Sequence, residues 1–175
     1  MRRSHEKTVR SRVDPAGLLL GGARQAAEKK EDILLLRTLA QSLLELRRTL
    51  SERQQSLGGI FSALAQKHGK EPVGAFYEDL GSKIGDLGER SFSEIWRETV
   101  EDRFASTEPE VCDALRPLGD FLGGSELERQ CRALDSAAQR IAELAEAGKE
   151  ALRGEMRLNL SLSLCAGAFL VIMLM

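Results

Sequence analysis

Apolar residues return along this chain at alternating steps of three and four, the repeat of a helix with one face turned inward. The first such stripe is Leu36, Leu39, Leu43, Leu46 and Leu50, in a helix predicted to start near Ala26. Leu35 and Leu44 widen it, so this helix should meet neighbours on two sides. The most regular stripe is the last: Leu127, Cys131, Leu134, Ala138, Ile141, Ala145, Gly148 and Leu152 form a coiled-coil-like seam. Its later, smaller members permit close helix contact. Ser125 is expected to cap that helix, with Glu126 and Glu128 well placed against the dipole of its first turn.

Four shorter helices are predicted between the two long ones. Ser56 to His68 carries Leu57, Ile60, Phe61 and Leu64 on one face and stops at Gly69. Glu71-Pro72 opens a third helix with Val73, Phe76, Tyr77, Leu80 and Ile84, weakened at its end by glycines 81, 85 and 88. Ser91 and Glu94 have capping-box spacing and start a helix bearing Phe92, Ile95, Trp96 and Val100. Glu108-Pro109 begins a fifth with Val111, Leu115, Leu118 and Leu122, which Pro117 should kink or divide. The pattern predicts an all-α protein: an antiparallel bundle of about six helices over 26–157, preceded by a loose arm over 1–25. The long last helix should continue into a terminal segment.

That terminal segment, 158–175, carries no charge. As a helix it would be roughly 27 Å long, close to the ~30 Å hydrocarbon core of a bilayer. Its apolar side chains point all round the axis, and Lys149, Glu150, Arg153, Glu155 and Arg157 crowd its near flank. A basic flank favours keeping that side in the cytosol. A C-terminal transmembrane segment at the cell membrane, with the helical domain cytosolic, is the expectation; a buried soluble helix is the alternative.

Composition narrows the classes. Charged residues make up 30% and aromatics 5%, which suits Leu/Ala-rich helices better than a sheet. Residues 1–30 hold eight Lys or Arg against three acids, net +5, so the rest of a chain of net charge −2 carries −7. Positive charge in a tail, with few aromatics to stack on bases, argues against nucleic acid and fits a lipid surface or a solvated arm. The three cysteines make neither a disulfide framework nor a zinc pattern.

No chemical site emerges. His5 and His68 lack ligand-spaced companions, the Gly-Gly pairs lie in the wrong context for a phosphate loop, and no serine sits in a nucleophile elbow. No cofactor, metal or small-molecule substrate is expected, and the chain reads as a non-enzyme. Trp96, Leu43 and Leu134 are expected to be structural, Trp96 as a core plug whose indole N–H needs an acceptor. A face of the last helix, Glu128, Arg132, Asp135 and Gln139, is the candidate interaction surface.

The ordered pieces resemble the stage III sporulation protein AB family. The resemblance rests on Ser91–Val100 (SFSEIWRETV), with Ile95-Trp96 at the family's Trp motif. It rests also on Leu118-Gly119, Leu122-Gly123, Ser125 and Gln130 at its "LG…LG-x-S/D…Q" stretch, and on the charged helix before the apolar end. It covers roughly Glu31 to Met175. It implies a membrane protein of endospore-forming bacteria, on the mother-cell side of the outer forespore membrane, with a domain similar to the cytoplasmic domains of type II secretion platform protein F. The implied role is a scaffold subunit of a secretion-like channel complex, with a secretion-type ATPase and other stage III proteins as partners. The family pattern begins with a transmembrane helix, where this chain has basic, polar residues and only GLLLGGA. A tail-anchored coiled-coil adaptor or regulator is the alternative function, and an enzyme with a dispersed site a third.

Overall fold

The structure, a computed structural model, describes residues 15–52, 56–69, 71–124 and 126–174, with side chains from Arg24 to Leu158 and at Phe169 and Ile172. Ser125, the expected cap, and residues 1–14 of the expected arm lie outside the described residues.

Among the described residues, two long α-helices form a hairpin, and five short α-helices pack along it. α1 (Pro15–Ser51) and α7 (Leu127–Leu174) bracket α2 (Leu57–His68), α3 (Pro72–Lys83), α4 (Phe92–Phe104), α5 (Pro109–Leu115) and α6 (Leu118–Leu122). Among the described residues there is no strand. α1 opens at Pro15, not near Ala26, so the arm expected through residue 25 is helical from Pro15 onward. Proline suits a first helical turn, and the leucines and alanines that follow outweigh Gly21-Gly22 as helix formers. The expected fifth helix is two, because Pro117 has no N–H to continue the ladder.

The hairpin is antiparallel. Partners on α7 descend as α1 ascends: Lys29 with Glu155, Ile33 with Gly148, Arg37 with Glu146, Arg47 with Asp135. Ile33, Leu36, Leu39, Leu43 and Leu46 are buried on α1, and Leu134, Ala138, Ile141, Ala145 and Leu152 on α7. Gly148 explains the close approach, since a Cβ there would stand 3.3 Å from Ile33 Cγ1. The seam begins loosely, with Leu127 and Cys131 only half-buried. Leu44 does not widen the inner stripe: it is 48% exposed. The second inward flank of α1 is Ser42 instead. Its hydroxyl donates to the Leu39 carbonyl at 2.7 Å, which leaves the Tyr77 hydroxyl to donate to Ser42 Oγ at 2.9 Å. Burial holds the Tyr77 phenol far above its usual pKa, so it stays neutral.

The short helices share one core with the hairpin. Phe61, Phe76, Tyr77, Phe92, Trp96 and Phe104 form a connected aromatic group within it, with ring centroids 5.2–6.3 Å apart. The Ser91–Glu94 capping box is present and sets the start of α4. Gly69 ends α2 at φ 65°, a conformation that suits glycine, and donates its N–H to the Ala65 carbonyl. Glu98 ties α3, the following turn and α4 together. Its hydrogen bonds from Arg90 and from Lys83, the latter 3.0 Å long, hold its carboxyl below the usual range.

α7 outlasts the bundle. After Leu152, residues 153–158 are all exposed, and the helix continues unbroken to Leu174. Leu158, Phe169 and Ile172 are strongly exposed as well. Among the described residues, no helix is long and apolar enough to cross a membrane.

Leu43 and Leu134 are both fully buried, one from each arm of the hairpin. Leu43→Ala or Leu134→Ala should each cost about 2–5 kcal/mol in chemical unfolding. A loss under about 1 kcal/mol, the size of a typical surface change, would move the core elsewhere.

Candidate interaction face

Trp96, Gly119, Gly123 and Gln130, the described residues at motif positions of the sequence, meet in one place. Trp96 is fully buried on α4, and its Nε1 donates to the Leu115 carbonyl at the end of α5, 2.8 Å away. That carbonyl is one that α5 leaves unpaired at its C-terminal end, so the indole closes a helix terminus while filling the core. Phe76 meets the Trp96 ring edge-on at 5.3 Å. On the other side α6 comes down onto α4 at Gly119, where an added Cβ would stand 3.0 Å from Trp96 Cβ and 3.1 Å from Ser93 Cα. Gly123 lies one turn further along, with Phe92 Cβ 3.4 Å from its own added Cβ. Gln130, at the start of α7, donates from Nε2 to the carbonyls of Leu122, at 3.2 Å, and Gly124, at 2.7 Å. Trp96, the two Leu-Gly pairs and Gln130 thus form a clasp that fixes α6 between α4 and α7.

This clasp holds one wall of a surface groove of about 710 Å³ between α5–α6 and α7. Ala114, Pro117, Leu118 and Phe121 line one side, Ala133, Ser136 and Ala137 the other, and Arg129, Arg132 and Arg140 stand along its α7 rim. Phe121 remains 37% exposed. Asp113, the acid in the lining, pairs with Arg116 at 2.7 Å.

The four residues expected to share an interaction face are divided by the fold. Arg132 lines the groove, with Glu128 beside it at 3.8 Å. Asp135 turns the other way, to Arg47 of α1 at 3.2 Å, and is only half-exposed. Gln139 is exposed and donates to Glu143 at 3.0 Å. Arg129, Arg140 and Phe121 do not stand out in the sequence. The signal for them is the run of small residues Ala133, Ser136 and Ala137 between arginines, opposite a helix cut short at Pro117. Cys112 is buried, and burial pushes its thiol above its usual pKa, with Sγ donating to the Phe104 carbonyl at 3.4 Å; it packs as a small apolar group. His68 lies 3.7 Å from Glu45, and His5 is outside the described residues.

A helical hairpin with short helices clasped to it through Trp96 and paired Leu-Gly steps defines an all-α protein. The family model for stage III sporulation protein AB matches residues 16–175. The chain belongs to the stage III sporulation protein AB family. No curated protein and no solved structure matches it.

The clasp makes a direct test possible. Gly119→Ala meets backbone and Cβ atoms that cannot swing aside, so it should destabilise by about 1–3 kcal/mol. Gly154→Ala, in the exposed part of α7 with open space around its added Cβ, should instead stabilise by up to about 1 kcal/mol. Equal effects of the two in thermal or chemical unfolding would contradict the clasp.

Proposed function

We propose that this protein is a membrane-anchored, non-enzymatic scaffold subunit of a secretion-like channel complex. Family membership implies a role in stage III of sporulation; the scaffold role and the anchor are our reading. The observation that carries it is the course of α7, which leaves the bundle after Leu152 and continues as one helix through the uncharged segment, with Leu158, Phe169 and Ile172 exposed to solvent. Leaving three large apolar side chains in water is unfavourable, at roughly 1.5–3 kcal/mol for each such side chain that could be buried. A bilayer is the environment that suits an uncharged terminal helix with basic residues on its near flank.

In this reading the helical domain lies on the cytosolic, mother-cell side of the outer forespore membrane. It docks other stage III sporulation proteins, including the secretion-type ATPase, through the faces of its helices. The lack of a recognisable chemical motif in the sequence supports a role exercised by assembly. The reading as a tail-anchored adaptor shares the anchor and differs in the partners.

Truncation after Arg157 should move the protein from the membrane fraction to the soluble fraction. Full-length chain that remains soluble without detergent would refute the anchor.

A further inference from the structure

The groove between α5–α6 and α7 combines small apolar side chains with arginines. Its floor is apolar and low, because Ala114, Ala133 and Ala137 project little from their helices, and Phe121 stands half-open at its edge. Its lining carries three arginines, Arg129, Arg132 and Arg140, and one acid, Asp113, while the carboxylates that pair with those arginines stand outside the lining. We propose that this groove seats an acidic amphipathic helix of a partner protein.

Shape and charge agree on that occupant. Small residues on a long helix let a second helix approach, and larger apolar side chains of the incoming helix would fill the space above the alanines. From Arg129 to Arg140 the rim extends roughly 16 Å, about three turns of helix. Among the described residues, each rim arginine pairs with a carboxylate three or four positions away in the chain. Arg129 pairs with Glu126 at 3.0 Å, Arg132 with Glu128 at 3.8 Å and Arg140 with Glu143 at 3.7 Å, all largely exposed. Exposed pairs of this kind contribute little to stability, so the guanidiniums can turn to carboxylates on an arriving helix at little cost. A guanidinium presents a planar fork of donors to a carboxylate and stacks well on aromatic faces, and Phe121 offers one. A lipid occupant is disfavoured by position. Arg140 lies some 27 Å along α7 from Leu158, beyond the reach of headgroups around the terminal segment.

The partner's identity rests on the scaffold reading, but binding in the groove can be measured without assembly or a membrane. The full chain in detergent is titrated against three fluorescein-labelled peptides of about five helical turns, and anisotropy is read. The first has a leucine stripe flanked by glutamates, the second has lysines for the glutamates, and the third has the acidic composition scrambled so that the stripe is lost. The acidic amphipathic peptide should bind saturably and more tightly at low salt. Arg129→Glu, Arg132→Glu and Phe121→Ser should each weaken it at least about fivefold, with helix content unchanged by circular dichroism. Arg48→Glu, on the exposed surface of α1, should bind as the parent does. Equal binding of the lysine or the scrambled peptide would overturn the proposal, as would absence of saturable binding or indifference to the groove variants. If peptide binding fails while truncation after Arg157 still releases the chain from membranes, the groove proposal falls and the anchored scaffold stands. The converse pair of results removes the anchor and keeps the groove.

Discussion

The antiparallel contact between α1 and α7 is the surface on which the other helices depend. None of α2 to α6 exceeds 13 residues, and isolated helices of that length are marginal in water. They persist by burying apolar faces against something already formed. The hairpin supplies it, since Leu39, Leu43 and Leu46 and, opposite them, Leu134 and Ile141 belong to the same core as the aromatic group. Steric fit sets the spacing of the two helices: leucines fill the seam where it faces the short helices, and Ala145 and Gly148 let it close toward the far end.

The clasp extends that order to the weakest elements. α5 and α6, of seven and five residues, are about two turns and one turn long and are separated by a proline, so their position is set from outside. Trp96 closes the end of α5 by accepting no compromise between packing and hydrogen bonding: its ring lies against Phe76 and its N–H reaches Leu115. Gly119 admits the backbone of α6 to Trp96, and Gln130 fastens the following turn to α7. The residues that carry the family resemblance therefore act on structure directly and on the groove at one remove, by holding the wall that contains Leu118 and Phe121.

Long helices were legible because a buried stripe must recur at the helical period, and both stripes are long enough for the repeat to declare itself. The division of the fifth helix was legible in Pro117, and the Ser91–Glu94 cap in its spacing. Other features depend on neighbours that a one-dimensional pattern does not contain. Leu44 lies just outside the stripe that holds Leu43, and whether it packs sideways or faces water depends on where the neighbouring helices stand; it falls on the outer side of α1. The start of α1 at Pro15 was hidden by Gly21-Gly22, which read as loop in isolation. Trp96 announced its need for an acceptor, while the acceptor, Leu115, became identifiable only once α5 and α4 were placed together. The groove is the extreme case. Its lining comes from three helices, and Asp135, which shares a sequence spacing with Arg132, is drawn to α1 by Arg47 instead.

Native-state hydrogen exchange across a denaturant series tests the primacy of the hairpin most directly, because it ranks segments by the free energy needed to open them. The account predicts that amides around Leu39–Leu46 and Leu134–Ala145 exchange last and together, through global unfolding. Those of α5 and α6 should exchange earlier, through openings that leave the hairpin intact. Slowest exchange in α3 and α4, with α1 and α7 opening at lower free energy, would contradict it.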